Sequence, residues 1–274
     1  MTDRRENLIL VAPGLLLLAV AFFWPIGQML MLAFEGPDGP TLDHFRRFLG
    51  DEFYLTVLWR TVRLSLLITL ICLLIGFPLA YIMARVGPRA RLWLIIMLIL
   101  PLMTSVVVRT FGWMVVLSRS GLLPSTLRDM GLVGRSYAIM HSELAIVIGM
   151  VQVLLPFMAL SILGVLLRLD IRLEEAARTM GCSFLSSMRS VVLPLSAPGI
   201  LAGSLLVFTL SASSFVTPNL LGGPRVQVLA ASIYRQVTQT LDWNFAAAQA
   251  VILFAGVALV LIPYIMLMRR PAHG

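Results

Sequence analysis

The sequence predicts an all-α, polytopic membrane protein with six transmembrane helices, on three observations. Hydrophobic residues make up 59% of the 274 positions and charged residues only 12%, against roughly 25% charged in a soluble domain. Six apolar runs, 8–34, 61–84, 92–117, 143–167, 197–221 and 246–268, each reach the ~20 residues a helix needs to cross a ~30 Å hydrocarbon layer. The arginines lie between these runs rather than on one soluble face, as membrane-flanking anchors do. A single membrane domain over 1–274 is expected, with a core at 61–268 and the first span as an addition.

The first run follows Arg4 and Arg5 and holds Ala19-Val20-Ala21, a string like a signal-peptidase site. More apolar residues, Phe22-Phe23-Trp24, follow at once, and the run exceeds a signal peptide's apolar region of about 7–15 residues. It reads as a retained anchor. Gly36-Pro37-Asp38-Gly39-Pro40 then marks a turn. Leu42, Phe45, Phe48 and Leu49 recur at helical spacing, with His44, Arg46 and Arg47 opposite. Two readings stand side by side, an amphipathic surface helix and a packed connector.

Orientation rests on arginine. The short loop after the second span holds Arg85, Arg89 and Arg91, the chain end holds Arg269 and Arg270, and the loop after the fourth span holds Arg168, Arg172, Arg178 and Arg189. Short loops and termini weigh most, and they favour both termini in the cytoplasm. The connectors 118–140 and 222–245, with Gly121, Pro124, Gly131, Gly134 and Gly222-Gly223-Pro224, fall on the other side.

Within the third span, Arg109 stands between Leu100-Pro101 and Trp113. A charge placed there faces a bundle interior, water or a partner, or snorkels to the headgroups. The loop 168–196 carries Glu174-Glu175-Ala176-Ala177, then Gly181, then Pro194. Alanine favours a slim helix, and glycine releases the chain into a turn other residues resist. A second helix over about 183–192 returns towards the membrane, and Pro194 and Pro198-Gly199 are expected to break it before the fifth span. The end of that span, with Ser213, Ser214, Phe215, Thr217, Pro218 and Asn219, suits close helix packing or a polar path beside a broken helix. Trp24, Trp59, Trp93 and Trp243 suit interfacial belts, and Trp113 alone is a candidate path residue.

Composition also excludes functions. All 21 basic residues are arginine, so neither a lysine-bearing phosphate loop nor a lysine Schiff base can be written. Nucleic acid is not an expected partner; the lipid bilayer is. His44, His141 and His273 are scattered, and Cys72 and Cys182 show no metal spacing. No catalytic or metal site is expected. A secondary carrier is the rival reading, but it needs intramembrane carboxylates that the spans lack.

Glu175-Ala176-Ala177, three residues, Gly181, nine residues, Val191 and Leu193-Pro194 resemble the EAA loop of bacterial ABC importer permeases, with valine at the usual isoleucine position. Val108-Arg109-Thr110-Phe111-Gly112-Trp113 followed by Gly121-Leu122-Leu123, the stretch from Phe215 to Pro224 followed by Asp242-Trp243, and Gly76-Phe77-Pro78-Leu79-Ala80-Tyr81 are similar to the spermidine/putrescine-type branch. The resemblance covers nearly the whole chain. It implies an inner-membrane permease subunit of a type I importer working by alternating access. It further implies an ATPase dimer that holds ATP and Mg, docked through Glu174, Glu175, Ala176, Ala177, Gly181 and Pro194; a second permease, favouring a heterodimer; and an extracytoplasmic solute-binding protein. No cofactor is expected in this chain. The sequence departs from the branch at Ser214, where members often carry an acidic residue. That departure disfavours a polyamine dication, and Arg109 suits an anionic or zwitterionic solute.

Overall fold

A computed structural model describes residues 4–36, 39–131 and 139–268, with side chains for those between Ala12 and Ile262. Pro37, Asp38, Gly134, Arg269, Arg270 and His273 lie outside the described residues, as do the side chains of Arg4 and Arg5. Six described helices are long and apolar enough to cross a membrane: Ala12–Phe34, Glu52–Arg85, Val106–Asp129, Glu143–Leu166, Phe184–Ser213 and Trp243–Ile262. The number of spans agrees with the sequence reading, while two of them begin or break elsewhere.

By contacts the chain sorts into two compact units. One joins the segment up to Leu55 to Ser232–Ala255, and the other comprises Thr56–Ala231 with the segment from Gly256 onward.

In the first unit, α1 (Arg4–Phe34) leads into a two-residue hairpin, β1 (Glu35–Gly36) with β2 (Gly39–Pro40), and then α2 (Asp43–Gly50). Ala33 packs with Ala247 and Ala248 of α13 (Trp243–Met268). On α2, Phe48 is fully buried while Leu42 and Leu49 are exposed. Phe48 stacks on Tyr54 at 5.5 Å, and Tyr54 meets Phe245 edge-on at 5.0 Å. Arg47 donates to Asp242 at 2.9 Å and lies 4.1 Å above the Phe245 ring. The segment is therefore helical, and its Phe48 face and Arg47 are packed as in a connector.

The second unit is built on α3 (Glu52–Arg85) from Thr56 onward, α4 (Pro88–Ile99), α5 (Val106–Leu117), α6 (Leu122–Asp129), α7 (Glu143–Leu166), α8 (Ile171–Thr179), α9 (Phe184–Ser187), α10 (Leu193–Ser213), α11 (Val216–Gly222) and α12 (Leu229–Arg235) up to Ala231. Its core gathers Leu64, Ile68 and Cys72 of α3 with Met150, Met158 and Ile162 of α7 and Val207 of α10. α7 and α10 approach closely at two glycines. A Cβ on Gly199 would stand 3.0 Å from the Ser161 carbonyl oxygen, and one on Gly203 would stand 2.9 Å from the Met158 sulfur. Gly199 and Gly203 form a small-xxx-small pair, which lets backbones touch where lipid supplies no hydrophobic drive.

That packing corrects one expectation. Pro194 and Pro198-Gly199 do not break the chain: helix runs from Phe184 to Ser213. Pro194 falls in the first turn of α10, where a missing N–H costs least. A π-helical turn, Met188–Val192, lies immediately before it, and the Leu193 N–H reaches back five residues to the Met188 carbonyl. The wider turn absorbs the proline without a break.

Real breaks occur at two other places. The stretch 92–117 is not one helix. After α4 come a 3₁₀ turn, Leu100–Met103, and extended Thr104 and Ser105, before α5 starts. Pro101 has no N–H to continue the α4 ladder. Likewise, 197–221 is interrupted at Ser214 and Phe215, with Ser214 extended at ψ 134°. Pro218, read as a sign of a broken helix, sits in the first turn of the restarted helix α11, just after that break.

Candidate functional site: the 168–196 loop and the interrupted helices

The loop after α7 begins with Asp170, whose side chain caps α8 by accepting from the Arg172 N–H at 3.0 Å. α8 is capped by Met180 and followed by Gly181, whose φ is +87°. Its N–H bonds to the Arg178 carbonyl at 3.0 Å, and Cys182 N–H bonds to Ala177 at 3.2 Å, a left-handed closure of the helix end. Nothing lies within 4 Å of a Cβ built on Gly181. Glycine is therefore required there by backbone angle and not by crowding.

α8 has two faces. Glu174 and Ala177 are buried, whereas Arg172, Glu175, Ala176, Thr179, Met180 and Gly181 are exposed. The two alanines of the motif thus do different jobs: Ala177 permits close packing inward, and Ala176 leaves the outward face without bulk. The two glutamates also diverge, with Glu175 open to the surroundings and Glu174 6% exposed.

Glu174 is held by three donors. Tyr81 Oη donates to Oε1 at 2.6 Å, Arg178 Nη2 to Oε1 at 2.9 Å, and Arg85 Nη2 to Oε2 at 2.5 Å. Tyr81 and Arg85 come from the last turns of α3, about ninety residues earlier in the chain. The rings and cations stack around the pair: Arg85 lies over Tyr81 at 5.1 Å, Arg178 over Phe184 at 5.3 Å, and Tyr81 meets Phe184 edge-on at 6.1 Å. Burial raises the Glu174 carboxyl, but the hydrogen bonds from Tyr81 and Arg85 and the charges of Arg85 and Arg178 outweigh it, leaving the carboxyl below its ordinary range. Close by, Arg91 closes the α3 C-terminus by donating to the carbonyls of Met83, Ala84 and Val86 at 2.9, 3.2 and 3.1 Å.

Sequence reasoning treated Arg85 and Arg91 as topology markers and quoted Tyr81 only within a family string, so it missed all three as structural partners. The available signal was local: Tyr81 and Arg85 are four apart on one face at the end of a span.

The interrupted helices form the second candidate region. Arg109 Nη1 donates to the Pro101 carbonyl at 2.9 Å, while its buried Nε has no partner among the described residues. The side chain folds back across the break between α4 and α5. Thr217 of α11 is buried and bonds to Thr110 of α5 at 3.2 Å, so the two restarted helices are joined by a hydroxyl pair. Thr110 was not singled out in the sequence. Trp113 turns inward and donates to Gln152 of α7 at 3.3 Å, whereas Trp24, Trp59, Trp93 and Trp243 are exposed. Ser213 and Phe215 are exposed, Ser214 and Asn219 are half-buried, and the Ser213 hydroxyl bonds to the Thr209 carbonyl at 2.9 Å. The structure therefore brings Thr217 and Trp113 into packed polar contacts and leaves Ser213, Ser214 and Phe215 accessible at the break.

These features define a polytopic membrane protein: spanning helices, two of them interrupted, tied to a short amphipathic helix outside the spans. Residues 76–270 match the family described as the binding-protein-dependent transport system inner membrane component. The chain is 35% identical over 252 residues to the spermidine/putrescine transport system permease protein PotB of Haemophilus influenzae, covering 92% of this chain and 86% of that one. It is likewise 35% identical over 224 residues to the PotB of Escherichia coli K12, covering 82% and 81%. A more distant relative, 25% identical over 252 residues and covering 90% and 87%, is a putative 2-aminoethylphosphonate transport system permease protein, PhnU, of Salmonella typhimurium. Among solved structures, a chain of a bacterial ABC transporter that imports the acidic polysaccharide alginate superposes with a TM-score of 0.82 at 19% identity, covering 98% of each chain.

The chain belongs to the binding-protein-dependent transport system inner membrane component family. It is a permease subunit of an ABC importer and an inner-membrane protein, and the secondary-carrier reading finds no support.

Proposed function

We propose that α8 is the element through which a cytoplasmic ATPase dimer drives this permease, with both chain termini on that same side. The observation that carries the reading is the division of α8: one face is fixed to the chain's own spans, and the other presents Glu175, Ala176 and Thr179 to the surroundings. Exposed Ile171, Leu173, Met180 and Leu185 flank this face, and an apolar patch on a polar loop marks a protein interface. ATP and Mg belong to the partner, because a chain with no lysine cannot form a phosphate loop of the usual kind. A second, different permease completes the path, and an extracytoplasmic binding protein supplies the solute. Alternating access then follows from rigid spans rocking about a shared interface.

The solute is a small organic amine. The relatives' names span polyamines and an aminophosphonate. Ser214 in place of an acidic residue, and an arginine, Arg109, within the third span, favour a zwitterion over a polyamine dication. Binding of putrescine and of 2-aminoethylphosphonate to the cognate binding protein separates the two, and tight binding of putrescine alone would reject the zwitterion.

Gly181→Val tests the docking. A β-branched residue at φ +87° is strained by about 1–2 kcal/mol or more, and it meets no steric neighbour. Membrane insertion should persist while ATP-dependent uptake is lost. Normal uptake by this variant would reject α8 as the docking element.

A further inference from the structure

We propose that Glu174 is a positioning residue that locks α8 to the end of α3, so that displacement of α8 by the ATPase moves α3 with it as one body. The inference rests on the reading of α8 as the docking element, and it names the joint through which that element acts.

Three features of the joint carry it. The carboxylate receives three hydrogen bonds, two of them from α3. Charge-assisted bonds of this kind are the shortest and strongest available to a side chain. The joint is also buried: the Glu174 side chain is 8% exposed and that of Arg85 is 21% exposed, so water does not compete freely for either partner. Finally, Phe184 of α9 closes the cluster from the far side of Gly181 by contacting both Tyr81 and Arg178. Both limbs of the loop are therefore fastened to α3, and Arg91 stiffens the helix end they grip. A hinge here would let α8 swing while α3 stood still. The Glu174 carboxylate is held from both helices, and packed contacts of this sort are bistable rather than continuously deformable.

Glu175 has no part in the joint. It faces outward from α8, one residue along the helix, so docking and locking fall on adjacent glutamates with opposite orientations. Each can be changed without the other.

The test uses the whole importer, copurified with its ATPase in detergent, with Cys72 and Cys182 replaced by alanine. Nitroxide labels at Leu173→Cys on α8 and Ile82→Cys on α3, both exposed positions, report the α3–α8 distance by electron-electron resonance before and after ATP is added under conditions that block hydrolysis. The otherwise unsubstituted protein should give one narrow distance that ATP does not shift. Glu174→Gln should give a broad distribution that shifts with ATP, although the ATPase still copurifies. Glu174→Asp should restore the narrow distance in part, which a generally loosened fold would not do. Tyr81→Phe removes one donor and keeps the ring; it should broaden the distribution less, and it serves as the readout if Glu174→Gln does not fold. A narrow, ATP-insensitive distance in Glu174→Gln would overturn the joint and leave docking intact. Loss of the ATPase from Glu174→Gln would also overturn it, by assigning the residue to the docking surface. Docking itself is judged separately by Glu175→Arg: retention of the ATPase by that variant would reject the docking reading, whatever the labels show.

Discussion

α3 is gripped near each end by a carboxylate from another element, and the two grips are unequal. Near its N-terminal end, Glu143, the first residue of α7, pairs with Arg60 at 3.4 Å and with Arg63. Near its C-terminal end, Glu174 pairs with Arg85 at 2.5 Å and Arg178 at 2.9 Å. Each carboxylate therefore holds two arginines. The Glu143 side chain is 37% exposed against 8% for Glu174, and only Glu174 has a neutral third donor, Tyr81. Coulomb attraction scales inversely with the effective dielectric, so the same pairing counts for more where water is excluded. Desolvation rises too, which makes the buried pair costly to form and costlier to break by halves. The N-terminal grip behaves as a surface ion pair and the C-terminal one as a structural joint.

The largest expected difference follows directly. Glu174→Ala leaves Arg85, whose buried Nε already lacks a partner among the described residues, facing an empty site. That should lower stability by about 2–3 kcal/mol, the scale of breaking a buried pair tempered by the partial exposure of Arg178. Glu143→Ala should cost only about 0.5 kcal/mol, as exposed pairs do. Thermal unfolding in detergent of the two variants side by side checks this, and equal shifts would break the comparison.

Acid should separate the two grips next. The folded state holds the Glu174 carboxyl below its ordinary value of 4.5. Stability from this group is therefore fully present above that value and is lost as pH falls through the lower, folded one. Each unit of lowering corresponds to about 1.4 kcal/mol. The groups facing the carboxyl are Tyr81 and Arg85 from α3 and Arg178 from α8. Unfolding temperatures recorded from pH 6 down to pH 3 should show an acid loss that Glu174→Gln removes. An unchanged acid profile in that variant would show that the carboxyl is not the titrating group.

What the sequence made legible follows the same division between local and distant causes. Span number and family membership were legible from run length and fixed spacing, both visible in one dimension, and Gly181 was readable because one helix end needs one left-handed residue. The Pro194 and Pro198-Gly199 break was misread because a proline's effect depends on where it falls in a turn: the π turn before Pro194 absorbs it, and Gly199 is instead a contact point against Ser161. The spacing of Gly199 and Gly203 could have shown that. Pro218 was a usable signal: the broken helix it suggests lies at Ser214 and Phe215, just before it. Tyr81 and Arg85 were out of reach, since nothing in their neighbourhood announces a carboxylate about ninety residues away. Arginines at span ends fit topology and pairing equally well, and only the packed structure pairs Arg85 with Glu174.

Salt gives the smallest effect and the cleanest separation of the two grips. At 1 M ionic strength the screening length is about 3 Å, close to the contact distance of an ion pair. Arg63 and Glu143 are 51% and 37% exposed at the side chain, so counterions reach both. The stability gap between the unsubstituted protein and Glu143→Gln, a few tenths of a kcal/mol at low salt, should close as sodium chloride is raised. The gap for Glu174→Gln should persist, because ions do not enter a joint whose carboxylate is 8% exposed and already saturated by three donors. Unfolding temperatures of the three proteins at 0.05 M and 1 M salt supply the measurement. If the Glu174 gap closed alongside the Glu143 gap, counterions would be reaching the joint, and the distinction between a surface pair and a buried lock on α3 would fall.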